Sequence, residues 1–244
     1  MTRCGAALAL LLALAACNRT DPEAGRAEGA RGFPRADRPV SVPGKIDYSS
    51  EDQRDNLGEA KVVMDLAAIK AGTTVADIGA GEGYYTVRLA GRVGPKGRVL
   101  AQDIDAEAMQ RLGQRVERER LDNVSIKVGA PEDPKLPENS FDRIFLVHVY
   151  HEVGEPYAFL WHMRPALREH GQVIVVDADR PTDQHGIPPA LLFCEFNAAG
   201  FRLAEFVRKP ELKGYYAQFE AVGPRPQAKD IKPCTAAKGK TGTQ

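Results

Sequence analysis

Three glycines spaced two apart, Gly79, Gly81 and Gly83, separate the apolar run Thr74-Val75-Ala76-Asp77-Ile78 from a stretch of helical spacing that begins at Tyr84. Without Cβ atoms, such a backbone can turn sharply and lie directly against a ligand. Asp103 ends a second apolar run, Arg98 to Asp103, about two dozen residues after Gly79. At the end of a second parallel strand, a carboxylate faces the ribose hydroxyls of a bound nucleoside. Asp105, just ahead of Ala106, is the better helix cap. A dinucleotide fingerprint would need a third glycine where this chain has Tyr84, and no Gly-Lys-Ser/Thr follows to make a P-loop. The pattern predicts a nucleoside site without a pyrophosphate cradle.

A second group of chemistry-bearing residues is His148-Val149-Tyr150-His151-Glu152, crowded at the end of an apolar run that starts at Phe141. His151 or His148 could serve as a general base near neutrality, with Glu152 beside them. The competing reading is that His151 and Glu152 only cap the following loop. Asp177, Asp179 and the loop His185 to Pro189 follow a later run and reach the same rim. His148, His151, Glu152, Asp177 and His185 could also gather round a cation. No tight helical spacing such as His-Glu-x-x-His appears, however, and no metal is assigned.

Alternating elements must position these residues. Strands are predicted at 74–78, 98–103, 124–128, 141–149 and 171–177, with helices at 84–93, 106–121, 156–168 (Pro165 a possible kink) and 189–199. Ile144 to Val147 and Val173 to Val176 are apolar at every position, as central parallel strands should be. Two last strands, 201–208 and 215–222, are joined by a link too short for a crossover helix and so form a hairpin. A further amphipathic helix is expected over 51–69. The outcome is an α/β fold, a doubly wound and mostly parallel seven-stranded sheet with an antiparallel C-terminal hairpin. Ligands of such sheets bind at the carboxyl ends of the strands.

Composition narrows the partners. The 244 residues carry 33 Lys+Arg against 33 Asp+Glu, so no net charge draws the chain toward nucleic acid. A 43% hydrophobic content supports a real core. No run after residue 16 approaches the roughly 18–20 apolar residues of a spanning helix. At the start, Arg3, the apolar stretch Ala6 to Ala13 and Leu14-Ala15-Ala16-Cys17 resemble a bacterial lipoprotein leader with its lipobox. That resemblance implies cleavage before Cys17, a lipid on its thiol and export to the periplasmic side of the envelope. Asn18 resembles the pattern sent to the outer membrane, and a mis-called start upstream of a cytoplasmic enzyme is the alternative. The expected organisation is a signal peptide (1–16), a flexible tether (17–45), one domain (46–223) and a disordered tail (224–244).

From about Glu51 to Val222 the chain resembles the Rossmann-like class I S-adenosylmethionine-dependent methyltransferases. The matching residues are Val75 to Thr86, Val99 to Ile104, Leu136 to Asp142 and Leu167 to Val173, and the final hairpin matches the reversed seventh strand of that fold. The resemblance implies methyl transfer from S-adenosylmethionine to a small-molecule acceptor. Gly79, Ala80, Gly81 and Gly83 would wrap the methionine and ribose, Asp77 would hold the amino group, Asp103 the ribose hydroxyls, and Ile104 would flank the adenine. The family's Gly-Asp-Ala is replaced here by Gly129-Ala130-Pro131-Glu132-Asp133, leaving Ala130, Glu132 and Asp133 as candidates for the adenine contact. Two rivals are an NAD-linked oxidoreductase and a non-catalytic ligand-binding lipoprotein. The second is motivated by a conflict, since the cofactor is made in the cytoplasm whereas the leader predicts export.

Overall fold

Period-two burial on both faces explains the unbroken apolar runs. In β4 (Phe141–Val147) and β5 (Leu167–Asp177), Ile144, Leu146, Val173 and Val175 pack on one face, and Phe145, Ile174 and Val176 on the other. The computed structural model describes residues 23–42 and 50–235. With β1 (Thr74–Ile78), β2 (Arg98–Asp103), β3 (Val124–Val128), β6 (Phe201–Lys209) and β7 (Gly214–Ala221), these strands form one sheet ordered β3-β2-β1-β4-β5-β7-β6. The pairings among β1 to β5 are parallel, and β7 runs antiparallel to both β5 and β6. The strand order reverses between β1 and β4. Their carboxyl ends therefore splay open where ligands bind in such sheets.

Helices cover both faces. On one side lie α1 (Glu51–Asn56), α2 (Glu59–Leu66) and α3 (Tyr84–Val93), with Val63, Met64, Leu89 and Val93 packed on Val75 and Phe145. On the other lie α5 (Pro156–Met163) and α6 (Pro189–Ala198), whose Phe159, Leu160, Leu192 and Phe196 meet Leu146 and Val175. The remaining long helix, α4 (Ala106–Glu119), starts at Asp105, whose side chain accepts from the N–H groups of Glu107 and Ala108.

Several boundaries depart from expectation. The helix expected over 51–69 is two, broken at Leu57-Gly58, where Gly58 takes φ +64°. Helix 156–168 stops at Met163, and Pro165 sits in a 3₁₀ turn over Arg164–Ala166. Strand four stops at Val147, not Val149, because His148 turns out of the strand at φ +55°.

The larger corrections concern the two ends. Residues 23–42, expected within the flexible tether, lie against the domain with Arg26, Ala30, Phe33, Arg38 and Ser41 all buried. Residues 224–235, expected within the disordered tail, are held by a Cys194–Cys234 disulfide that links the tail to α6. Asp37 and Thr235 form a parallel bridge, so the two segments also pair with each other. Their composition is polar, yet a few anchors suffice: Phe33 meets the Trp161 ring edge-on at 5.4 Å, and Arg26 bonds Glu155 through Nε at 2.9 Å. The leader and Cys17 lie outside the described residues.

Candidate cofactor and acceptor site

A cavity of about 820 Å³ opens at the carboxyl ends of β1, β2 and β4. Its floor is the loop between β1 and α3. The N–H groups of Gly79 and Ala80 bond the carbonyl of Gln102 at 2.8 and 3.0 Å, tying the loop to the end of β2. Gly79, Gly81 and Gly83 all have positive φ, at +70°, +53° and +91°. Their surroundings differ. A Cβ at Gly79 would strike Val149 Cγ2 at 2.5 Å and one at Gly83 would strike Leu112 Cδ1 at 2.4 Å, but one at Gly81 would meet no protein atom within 4 Å. Gly79 and Gly83 are therefore packing requirements, whereas Gly81 faces open space on the cavity wall.

Two carboxylates frame that loop. Asp103 Oδ2 accepts from the Gly81 N–H at 2.9 Å, and its Oδ1 accepts from the Asp105 N–H at 3.0 Å. Asp77 lies beneath the loop at 3% exposure, its Oδ2 accepting from Thr86 Oγ1 at 2.6 Å. Burial raises its pKa to about 6, although the Thr86 hydrogen bond works against the shift. Ile104 lines the rim with 46% of its surface exposed. Of the three adenine candidates, only Ala130 reaches the cavity. Asp133 instead closes a turn, exchanging backbone bonds with Ala130 and accepting from the Lys135 N–H at 2.7 Å. Glu132 lies beside Gly29 of the N-terminal segment. The Pro131 turn aims both acids away from the cavity.

The opposite wall comes from segments far apart in sequence. Arg54 lies over the Tyr84 ring at 3.7 Å and its Nε donates to Glu59 Oε2 at 3.1 Å. Tyr85 donates its hydroxyl to Glu59 Oε1 at 3.0 Å, and His148 Nε2 approaches the same oxygen at 3.6 Å. Burial alone would raise the Glu59 carboxyl, but hydrogen bonds from His148 and Arg54 outweigh it and hold its pKa at about 2. Helices α1 and α2 thus close one side of the cavity with a buried ionic cluster, and Arg54, Tyr84, Tyr85 and His148 line it. Spacing in the sequence pointed to none of Arg54, Glu59 or Tyr85.

The three proposed catalytic residues separate in space. His148 and Glu152 line the cavity. His151 is 1% exposed and not on its wall, with Nδ1 2.9 and 3.0 Å from the two oxygens of the equally buried Asp177. Direct contact with an acceptor is therefore open to His148 and Glu152 but not to His151, because the turn over Tyr150–Glu152 rotates its ring inward. Below this turn, Arg38 and Glu195 form a fully buried pair (Nε to Oε1, 2.8 Å), and Tyr150 donates to Glu195 Oε2 at 2.9 Å. Arg38 also donates to the carbonyls of His151 and Val153 at 3.3 and 3.1 Å. The N-terminal segment thereby fixes the turn that carries His151 and Glu152.

Comparison with known proteins gives a consistent result. A family model described as a methyltransferase domain matches residues 69–209. A ubiquinone/menaquinone biosynthesis C-methyltransferase of Hahella chejuensis is 29% identical over 124 residues, covering 50% of each chain. A demethylmenaquinone methyltransferase of Listeria welshimeri is 29% identical over 122 residues, covering 50% of this chain and 51% of its own. The chain thus spans about half the length of the curated relatives it matches. Among solved structures, a SAM-dependent methyltransferase from Aquifex aeolicus aligns with a TM-score of 0.62 at 25% identity, over 72% of this chain and 97% of its own.

Proposed function

The chain belongs to the methyltransferase domain family, and from that membership and the cavity we propose that it transfers a methyl group from S-adenosylmethionine to a small-molecule acceptor. The observation that carries this reading is the glycine loop. Gly81 faces open space, its N–H is held by Asp103, and buried Asp77 lies below. Each group would meet one part of the cofactor. Gly81 gives its backbone room to lie against the methionine portion, Asp77 offers a carboxylate to an amino group, and Asp103 offers one to ribose hydroxyls. Ile104 and Ala130 supply apolar flanks for a base. When bound, the cofactor supplies an electrophilic methyl on a sulfonium.

The protein's part is then alignment. Displacement at a methyl carbon is in-line, so holding donor and acceptor in register supplies most of the advantage. A cavity of about 820 Å³ falls within the roughly 300–1,000 Å³ usual for small-molecule sites. His148 and Glu152 at the wall can accept or position a proton of the acceptor. His148 also meets Glu59 at 3.6 Å, and Glu152 lines the same wall. The test is equilibrium binding followed by a screen with methyl-labelled cofactor over quinone precursors, phenols and amines. Binding of S-adenosylhomocysteine with label transfer to one class supports the reading, and NAD binding in its place overturns it.

We also propose that the chain is exported and anchored by lipid on Cys17. The residues Leu14 to Cys17 support this, and so does the Cys194–Cys234 disulfide, since structural disulfides persist chiefly in oxidising compartments. Intact-mass measurement on protein from its native host tests it. A lipid-modified N-terminus at Cys17 is expected, and an unprocessed Met1 in the soluble fraction contradicts it.

A further inference from the structure

Beside the cavity lies a cluster that the cofactor loop does not use and that shares only Glu152 with the acceptor wall. One donor atom each from His151, Glu152 and His185 falls within 4.8 Å of the others. His151 Nδ1 is committed to Asp177, so its free nitrogen is Nε2, which lies 3.9 Å from Glu152 Oε1. Among the described residues, His151 Nε2 and His185 Nδ1 are both buried nitrogens without a hydrogen-bond partner. Buried imidazole nitrogens are normally satisfied, and two rings each with an unsatisfied nitrogen, grouped with one carboxylate, mark a place where something is held.

From this geometry we propose a binding site for a divalent transition ion of the zinc type, ligated by His151, His185 and Glu152. Two imidazoles and a carboxylate form a donor set that suits zinc and leaves a coordination position open. Around a tetrahedral ion with bonds of about 2.0–2.1 Å, ligand atoms sit roughly 3.3–3.5 Å apart; the His151–Glu152 separation of 3.9 Å is near this, and the others, within 4.8 Å, would have to close by up to about 1.5 Å. The supporting groups are already in place. Asp177 on His151 Nδ1 fixes the ring so that Nε2 faces inward, the carboxylate–histidine–metal arrangement that raises ligand basicity. Asp177 is itself held by the Ala178 N–H at 2.8 Å.

The loop carrying His185 is pinned as well. Ser41 Oγ donates to the Thr182 carbonyl at 2.7 Å and accepts from the His185 N–H at 3.0 Å, and Tyr215 donates to the Ile187 carbonyl at 2.8 Å. The two imidazoles meet edge to face with centroids 5.7 Å apart. The local charge favours a cation. Asp177 and Glu152 offset a divalent ion, while the nearby Arg38 guanidinium is neutralised by Glu195. Because Glu152 lines the cavity, the ion would lie one side chain behind the acceptor wall.

The test uses tag-free full-length protein, treated with chelator and titrated with Zn²⁺ by calorimetry, with bound metal counted after gel filtration. One zinc per chain is expected, with a dissociation constant below about 1 µM. His185→Ala should weaken it at least about 100-fold, and Asp177→Asn about 10–100-fold. Cobalt uptake should give visible d–d bands that His185→Ala removes. Circular dichroism melts establish that each variant is folded, and Glu152→Gln, at a half-buried position, replaces any that is not. Absence of stoichiometric zinc in the wild type, or zinc binding unchanged in both His185→Ala and Glu152→Gln, overturns the proposal and leaves a His151–Asp177 pair only. The readout is independent of S-adenosylhomocysteine binding, so its failure leaves the methyltransferase reading intact.

Discussion

The two walls of the cavity are built differently. The wall under the glycine loop is mostly backbone and comes from one stretch, residues 77–105, with hydrogen bonds linking Gly79, Ala80, Gly81, Gln102 and Asp103. The facing wall is mostly side chain, and its supports come from Arg38, Arg54, Glu59, His148, His185 and Glu195, on segments scattered along the chain. A backbone cradle tolerates varied side chains and keeps one ligand. A side-chain wall changes its chemistry with every substitution. The difference teaches where a fixed cofactor and a variable acceptor belong.

Breaking the side-chain wall should have the largest effect on stability. Glu195→Ala leaves the Arg38 guanidinium charged, wholly buried and without its carboxylate, and removing one partner of such a pair costs about 3–5 kcal/mol. Denaturant unfolding should show a loss of that size, whereas a loss under about 1 kcal/mol would mean the pair contributes little. Acid should act on the same wall. Glu59 ionises at about 2 in the folded protein against an ordinary 4.5. Its contribution is therefore complete above pH 4.5 and is lost as pH falls toward 2. The shift corresponds to roughly 3 kcal/mol, and Glu59→Gln should flatten that part of the stability–pH curve.

The backbone wall should respond in binding with little change in stability. Gly81→Val sends a branched side chain into the cavity and should weaken S-adenosylhomocysteine at least about 100-fold. The added left-handed strain is only about 1–2 kcal/mol, so the fold should persist. Calorimetry with a melting control checks both halves. Asp103→Ala should cost about 1–3 kcal/mol of the same affinity, and unchanged binding would assign Asp103 only to holding Gly81 and Asp105. Asp77 sharpens the contrast least but adds a sign. With its carboxyl raised to about 6, affinity for an ammonium-bearing ligand should fall as pH drops below 6, by at most about tenfold per unit. Asp77→Asn should remove that slope.

The same contrast decides what the sequence could reveal. Gly79, Gly81, Gly83 and Asp103 were legible because strand, turn and second strand follow one another, and local spacing alone brings them together. The mostly parallel sheet and the terminal hairpin were legible from element alternation and a link too short for a helix. The Arg54–Glu59–His148 cluster was not, because it depends on α1 and α2 folding back over β4, a long-range packing event with no periodic signature. His151, Glu152 and His185 were legible as neighbours on one rim, but the Ser41 contact from the N-terminal segment that pins the His185 loop was not. That segment read as a tether, since composition averages out the few residues, Arg26, Phe33 and Arg38, that anchor it. Glu132 and Asp133 misled for the converse reason: adjacency to Ala130 in sequence did not survive the turn at Pro131.

The central claim is that the glycine loop holds the nucleoside of S-adenosylmethionine. Isothermal calorimetry on the full chain tests it most directly, with S-adenosylhomocysteine and NAD titrated separately at neutral pH into wild type and Gly81→Val. The account predicts one molecule of S-adenosylhomocysteine per chain in the wild type, none detectable in the variant, and no heat with NAD. Saturable NAD binding, or S-adenosylhomocysteine binding that Gly81→Val leaves unchanged, would contradict it.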